Sequence, residues 1–241
     1  MAFFWGNHLT QDVPRGPFSN SHDWIRARLT FILNNQERIL RDSDDEDDIE
    51  DATNIKELAQ RLLELLPRVF PSGASSSEPT VLFHDDLNLL NMLVEENEEL
   101  TAVIDWECVS ALPLWKVCQV PKFLEGRERN EEPCRDRHGV DELEDNEESG
   151  SLPEALDDEG VASIYWEHLM EYEQTQLRRV FIETIEELEP LWMEESRKGA
   201  AQADFEDAVQ HCDAWGYKIV KNWLDTFGSG ESWSLRSRLL A

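Results

Sequence analysis

The feature that most limits what this chain can become is the stretch Val81-Leu82-Phe83-His84-Asp85-Asp86-Leu87-Asn88-Leu89-Leu90-Asn91-Met92-Leu93-Val94. It is followed closely by Thr101-Ala102-Val103-Ile104-Asp105-Trp106-Glu107. The apolar run Val81 to Phe83 reads as a strand that delivers His84 and Asp86 into a loop. Asn91 to Val94 reads as a second short strand, Glu95-Glu96-Asn97-Glu98-Glu99 as a polar turn, and Leu100 to Asp105 as the returning strand. In an antiparallel hairpin with that turn, Asn91 falls opposite Ile104 or Asp105. An amide and a carboxylate then meet at one end of the hairpin, and Asp86 stands on the loop that feeds it. Hard oxygen ligands of this kind suit magnesium, which takes few protein ligands and shares the rest of its shell with phosphates and water.

The pattern His84-x-Asp86-x-x-x-x-Asn91 is that of a phosphoryl-transfer loop, and a metal-binding Asp follows it in Asp105. With Ile104-Asp105-Trp106-Glu107 in place of an Asp-Phe-Gly triplet, it resembles the aminoglycoside phosphotransferase family. A single His-x-Asp carries little information, because Asp is common in turns. Four positions in the right order, in strand–loop–hairpin context, carry the resemblance. It implies an α+β, mainly α-helical chain: the C-terminal lobe of the protein-kinase-like fold with a small catalytic β-hairpin. It also implies that Asp86 is the base that orients the acceptor hydroxyl and that His84 braces the catalytic loop. Asn91 and Asp105 hold Mg2+, and ATP is the co-substrate.

Composition narrows the partners. The chain has 241 residues, of which 40% are hydrophobic and 31% charged, enough to bury a substantial core. Its formal charge of −30 repels polyphosphate and anionic membrane surfaces, so neither nucleic acid nor membrane is an expected partner. The resemblance implies a small-molecule hydroxyl compound instead. Cys108, Cys118, Cys134 and Cys212 show no C-x-x-C spacing and read as reduced thiols. No apolar run is long enough to span a bilayer and the start does not resemble a signal peptide, so a cytoplasmic location is expected.

Along the chain, residues 1–20 are rich in aromatics and turn formers. Asn20-Ser21 offers an N-cap for a helix from about Asp23 to Leu40. Asp42 to Asp51 holds eight acids in ten residues and reads as a solvated loop or insertion. Asn54 with Glu57 suggests a capping box for a helix over Ile55 to Leu66, closed by Pro67. Leu112-Pro113-Leu114-Trp115 reads as an apolar covering loop. Residues 127–160 hold fourteen acids against four bases and read as a second acidic insertion. The last third is helical: Ser163 to Tyr172, Gln174 to Glu189, and one long pattern from Asp204 to Phe227. The whole of 1–241 is thus expected to form one lobe with two acidic insertions.

One element of a complete kinase-like site is missing. No G-x-G-x-x-G occurs, and the first lysine is Lys56, inside a leucine-rich helix. The N-terminal lobe, with its covering loop and phosphate-pairing lysine, is therefore expected to be absent. Two functions remain open at this stage. One is an ATP-dependent phosphotransferase of a small-molecule hydroxyl, represented by its catalytic lobe. The other is a non-catalytic, truncated remnant or binding module. A magnesium-dependent phosphoester hydrolase ranks behind both, because it needs more ligands than Asn91 and Asp105.

Overall fold

The structure is a computed structural model and describes residues 11–71, 78–135, 163–213, 216–227 and 233–239. It is mainly helical, with two two-stranded sheets, in keeping with the α+β expectation. Helix α1 (Ser21–Asp42) starts where the sequence places it: the Asn20 side chain accepts from the Asp23 amide. Helix α2 (Glu46–Val69) does not. The acids of 42–51 form no loop beyond Ser43 to Asp45; Glu46 onward is the first turn and a half of α2. Asp45, not Asn54, is the N-cap, accepting from the amides of Asp47 and Asp48. Negative charge near a helix N-terminus is stabilised by the unpaired amides and the dipole there. An acidic run that reads as solvated coil is therefore equally suited to begin a helix. It remains solvent-exposed, as expected. Pro67 does not close α2, which continues to Val69: its missing N–H and its ring act on the Leu63 carbonyl four residues back, not on the residues that follow.

Strand β1 (Thr80–His84) pairs with β4 (Val109–Pro113), and β2 (Met92–Val94) pairs antiparallel with β3 (Leu100–Val103). The segment around Leu112-Pro113 is thus a strand rather than a covering loop. It runs straight into α3 (Leu114–Val117), whose Trp115 is buried. Helices α4 (Ser163–Leu188), α5 (Pro190–Lys198), α6 (Ala200–His211), α7 (Tyr217–Thr226) and α8 (Leu235–Leu239) follow. Two predicted stretches merge into α4, and the pattern from Asp204 to Phe227 divides into α6 and α7. Among the described residues, no helix is long and apolar enough to cross a membrane.

The chain groups into two compact units. The first comprises Met1–Phe83, Val109–Gln119 and Glu194–Leu239. Its core joins Ile25 and Leu29 of α1, Leu62 and Leu66 of α2, Phe205 of α6 and Val220 of α7, all buried. Gly199 lets α6 close onto Trp115: a Cβ there would lie 2.6 Å from the Trp115 Cβ. One carboxylate is buried in this unit with two cations. Glu206 of α6, 2% exposed, is paired with Arg28 of α1 and Lys116 of α3. Burial pushes its carboxyl up, but the two cations outweigh that and hold it at about 2.

Asp207, the next residue, is in the opposite situation. Its Oδ2 is buried with no hydrogen-bond partner among the described residues. Burial pushes its carboxyl up to about 6; Arg236 and Lys116 oppose the rise, and Glu206 and Asp204 add to it. Below its ordinary value of 3.8 the group is protonated folded or unfolded, and costs nothing. As pH rises through about 6 the folded protein must ionise it in a poorly solvated site, so stability falls. Asp207→Asn is therefore expected to raise the melting temperature at pH 8, with the gain fading toward pH 4. Scanning calorimetry at the two pH values checks this, and an equal gain at both would show that ionisation is not the cause.

The second unit comprises His84–Cys108, Val120–Met193 and Leu240–Ala241. Among its described residues the one fully buried apolar side chain is Leu124, so polar bonds hold much of it together. Arg178 of α4 donates to the carbonyls of Leu124 (2.8 Å) and Gly126 (3.1 Å). Arg129 pairs with Glu171 at 2.9 Å, and its amide donates to the Thr175 hydroxyl at 3.0 Å. The start of the predicted insertion at 127–160 is thus fastened to α4; residues 136–160 of it lie outside the described residues.

Candidate active site

His84, Asp86, Asn91 and Asp105 all belong to the second unit, between β1 and the end of β3. His84 ends β1 and is buried. Its Nε2 lies 2.8 Å from the Ile104 carbonyl oxygen. A carbonyl only accepts, so Nε2 carries the hydrogen and Nδ1 the lone pair. Nδ1 is buried without a hydrogen-bond partner among the described residues. The ring also meets the Trp106 indole edge-on, with centroids 4.8 Å apart. His84 thus bonds the backbone immediately before Asp105.

Asp86 is exposed on the turn after β1, and two asparagines hold it. The Asn91 amide donates to the Asp86 carbonyl at 2.8 Å and to its carboxylate Oδ2 at 3.2 Å. The Asn88 amide donates to the same carbonyl at 3.1 Å. The Asn88 Oδ1 in turn accepts from the Leu90 amide and caps the single 3-10 turn Leu89–Asn91. This short turn replaces the first residue of the predicted strand, because Asn91 side-chain bonding back to Asp86 requires the chain to curl first. The register is nevertheless the expected one. Met92 pairs with Val103, and the Ile104 amide donates to the Asn91 carbonyl at 2.9 Å, so Asn91 faces Ile104.

Asp105 is exposed, with φ of +64°. That left-handed conformation is uncommon for residues with a Cβ, though Asp tolerates it better than most. It turns the chain sharply out of β3 and separates the Asp105 carboxylate from the pleat of the strand. Trp106, next in the chain, donates from Nε1 to the Val103 carbonyl at 2.8 Å and closes the turn.

The donor set suits magnesium in kind. With the Asn91 Nδ2 committed to Asp86, its Oδ1 is the oxygen left for a cation. The Asp105 carboxylate is a second hard donor. Among the described residues no three His, Cys, Asp or Glu side chains converge on one point. Magnesium takes few protein oxygens and completes its shell with substrate phosphates and water. The sequence reading missed Asn88 and Trp106. Asn88 carries a legible signal, since an Asx side chain commonly bonds the backbone two residues on. Trp106 carries none that periodicity could reveal.

A cleft of about 290 Å³ occurs elsewhere in the same unit, lined by Glu128, Thr175, Arg178, Arg179, Ile182 and Glu183. None of the four motif residues lines it. Four of its polar side chains have protein partners: Arg178 bonds two carbonyls, Arg179 reaches Glu128, and the Thr175 hydroxyl is bonded to the Glu171 carbonyl.

A strand–loop–hairpin in which an asparagine grips a loop carboxylate, with a second carboxylate at the end of the returning strand, has the layout of a phosphotransferase site. Residues 9–115 match the model of the phosphotransferase enzyme family, the family that the four motif positions resemble. The matched segment contains His84, Asp86, Asn91 and Asp105. No curated protein and no solved structure matches the chain.

Proposed function

We propose that this chain carries the catalytic lobe of an ATP-dependent phosphotransferase acting on a hydroxyl of a small molecule. The observation that carries the reading is the pair of hydrogen bonds from the Asn91 side chain to Asp86, which aims an exposed carboxylate from a fixed backbone. A general base must be held within hydrogen-bond reach of the proton it takes. Asp86, tied at both its carbonyl and its carboxylate, meets the requirement for fixed aim. It orients the acceptor hydroxyl and receives its proton as the oxygen attacks the terminal phosphorus of ATP and the bond from that phosphorus to the bridging oxygen breaks, releasing ADP. Asn91 and Asp105 are the residues that would hold magnesium, whose charge, when bound, offsets that of the phosphates.

One observation favours a second reading, in which the chain binds but does not turn over. Lys56, the only lysine before the motif, lies on α2 and pairs with Glu37 at 3.1 Å. It is not offered from a strand to a phosphate.

Binding of Mn2+ in place of magnesium, followed by electron paramagnetic resonance with and without ATP, tests the metal half of the proposal. The expected result is Mn2+ immobilised by the chain only when ATP is present. Asp105→Ala should weaken this by more than about tenfold, since removing even a residue that only orients a metal ligand costs about 10–100-fold. Equal binding by wild type and Asp105→Ala would remove Asp105 from the metal site and the proposal with it.

A further inference from the structure

Between the candidate base and the candidate metal ligand stand two leucines to which the chemistry proposed above gives no role. Leu89 and Leu90 follow Asp86 by three and four residues and directly precede Asn91. They are 71% and 87% exposed, the highest values among the large apolar side chains of the described residues. The turn that carries them does not need leucine, since small polar residues favour such turns. Its shape comes from Asn88, whose Oδ1 accepts from the Leu90 amide at 2.8 Å and whose carbonyl accepts from the Asn91 amide at 3.1 Å. Asn88 and Asn91 also bond the Asp86 carbonyl, so the backbone under both leucines is tied to the backbone of the base. Three residues span at most about 11 Å, and the bond from Asn91 back to Asp86 shortens that reach. Single exposed leucines need no explanation, whereas adjoining ones rimmed by polar groups mark ligand or partner sites. On a turn already held in place, covering them costs little further ordering. Charge narrows what can cover them. From His84 to Cys108 the chain has no lysine or arginine, whereas Asp85, Glu95, Glu96, Glu98, Glu99 and Glu107 all carry carboxylates. An anionic compound finds no cation on this stretch, and its field repels one.

We propose that Leu89 and Leu90 select the acceptor: a hydroxyl compound with an apolar body no longer than about 11 Å and no anionic group. Its hydroxyl stands at Asp86 and its body lies across the two leucines. The bonds made and broken are those of phosphoryl transfer to that hydroxyl, and the leucines decide only which hydroxyl is presented. The acceptor role rests on the phosphotransferase reading; binding of an apolar alcohol by the leucines does not.

The test is NMR of the full chain with labelled leucine methyls, titrated separately with phenylethanol, glycerol and phenyllactate. Phenylethanol should shift the Leu89 and Leu90 methyl signals saturably. Glycerol, which has hydroxyls and no apolar body, should not. Phenyllactate, which adds a carboxylate, should bind about tenfold more weakly than phenylethanol. Leu89→Ser and Leu90→Ser should each weaken phenylethanol about tenfold, because covering a leucine contributes an effect of that order. Leu188 and Leu191, 70% and 67% exposed, serve as internal controls. Equal shifts at those two mean indiscriminate adsorption and overturn the proposal, as does glycerol bound as tightly as phenylethanol. Equal binding by wild type and both variants overturns it too; should the variants fail to fold, the wild-type titrations decide alone. Mn2+ with ATP, added last, separates the two readings. Bound phenylethanol should then be broadened by the metal, and signals that stay sharp place it too far away to be the acceptor and overturn the proposal. Mn2+ immobilised with ATP and no shift at the leucines overturns this proposal alone. Phenylethanol on the leucines with no Mn2+ immobilised overturns the phosphotransferase reading, and the acceptor role with it.

Discussion

Replacing Glu206 by alanine is expected to destabilise the first unit by about 3–5 kcal/mol, the cost of removing one partner from a buried ion pair. Glu206 is 2% exposed and joins α6 to Arg28 of α1 and Lys116 of α3. The side chains of Arg28 and Lys116 are only 14% and 25% exposed, so its loss leaves two poorly solvated cations facing each other. Arg28 also lies over the Trp24 ring, which limits its freedom to swing into water. For a protein of this size the penalty corresponds to a fall of roughly 6–20 °C in the melting temperature. The acid side of the stability profile carries the same signature. With its carboxyl held at about 2, the stabilisation from Glu206 is fully present above its ordinary value of 4.5. It is lost as pH falls from there toward 2. Glu206→Gln should therefore flatten the loss of stability between those pH values, and calorimetry across them checks it. An unchanged slope would mean that the carboxylate carries no net charge advantage.

The parts of this protein that were legible in its sequence are those whose information is local. Asn20 caps α1 because its side chain needs only the amide three residues on. The hairpin itself follows from the polar turn between Val94 and Leu100, but the one-residue shift between Leu93 and Val94, which brings Asn91 opposite Ile104 rather than Val103, carries no such signal. The order His84, Asp86, Asn91, Asp105 was legible because spacing along a loop and two strands constrains which side chains meet. Legibility failed where two local signals compete. Asp45 and Asn54 are both good caps, and the decision between them depends on whether an acidic stretch prefers water or helix amides. It failed again where the partner is distant in sequence. Trp115 bonds to the Ser21 hydroxyl, 94 residues away, and β4 finds β1; neither is visible in the pattern around Leu112-Pro113. The contact of Trp106 with His84 is of that kind, even though both residues stand within the recognised motif.

ATP consumption by the purified chain, offered a panel of hydroxyl compounds, is expected not to rise above that of Asp86→Ala or Asp105→Ala. Phosphoryl transfer asks a protein chiefly for positioning and charge stabilisation. The chain supplies part of each: Asp86 is aimed by Asn91, and Asp105 is turned outward at the end of β3. It offers no lysine to the phosphates near that site before the motif, since Lys56 is on α2 and engaged by Glu37. Removing a single well-placed charge stabiliser costs about a hundred- to a thousandfold in rate. No G-x-G-x-x-G occurs in these 241 residues, and phosphates without such a loop over them lose the alignment of phosphorus with the attacking oxygen, so the two losses would compound. Asp86 then has a proton to accept and no phosphorus held in line for its partner oxygen. Two oxygens, if Asn91 and Asp105 are the ligands as proposed, would bind magnesium weakly until nucleotide phosphates completed its shell. Weak metal binding and poor alignment therefore reinforce each other. A coupled assay for ADP release, run with both variants as blanks, makes the comparison. Acceptor-dependent turnover that vanishes in both variants would show that this lobe suffices, with the phosphates held by residues other than a strand-borne lysine.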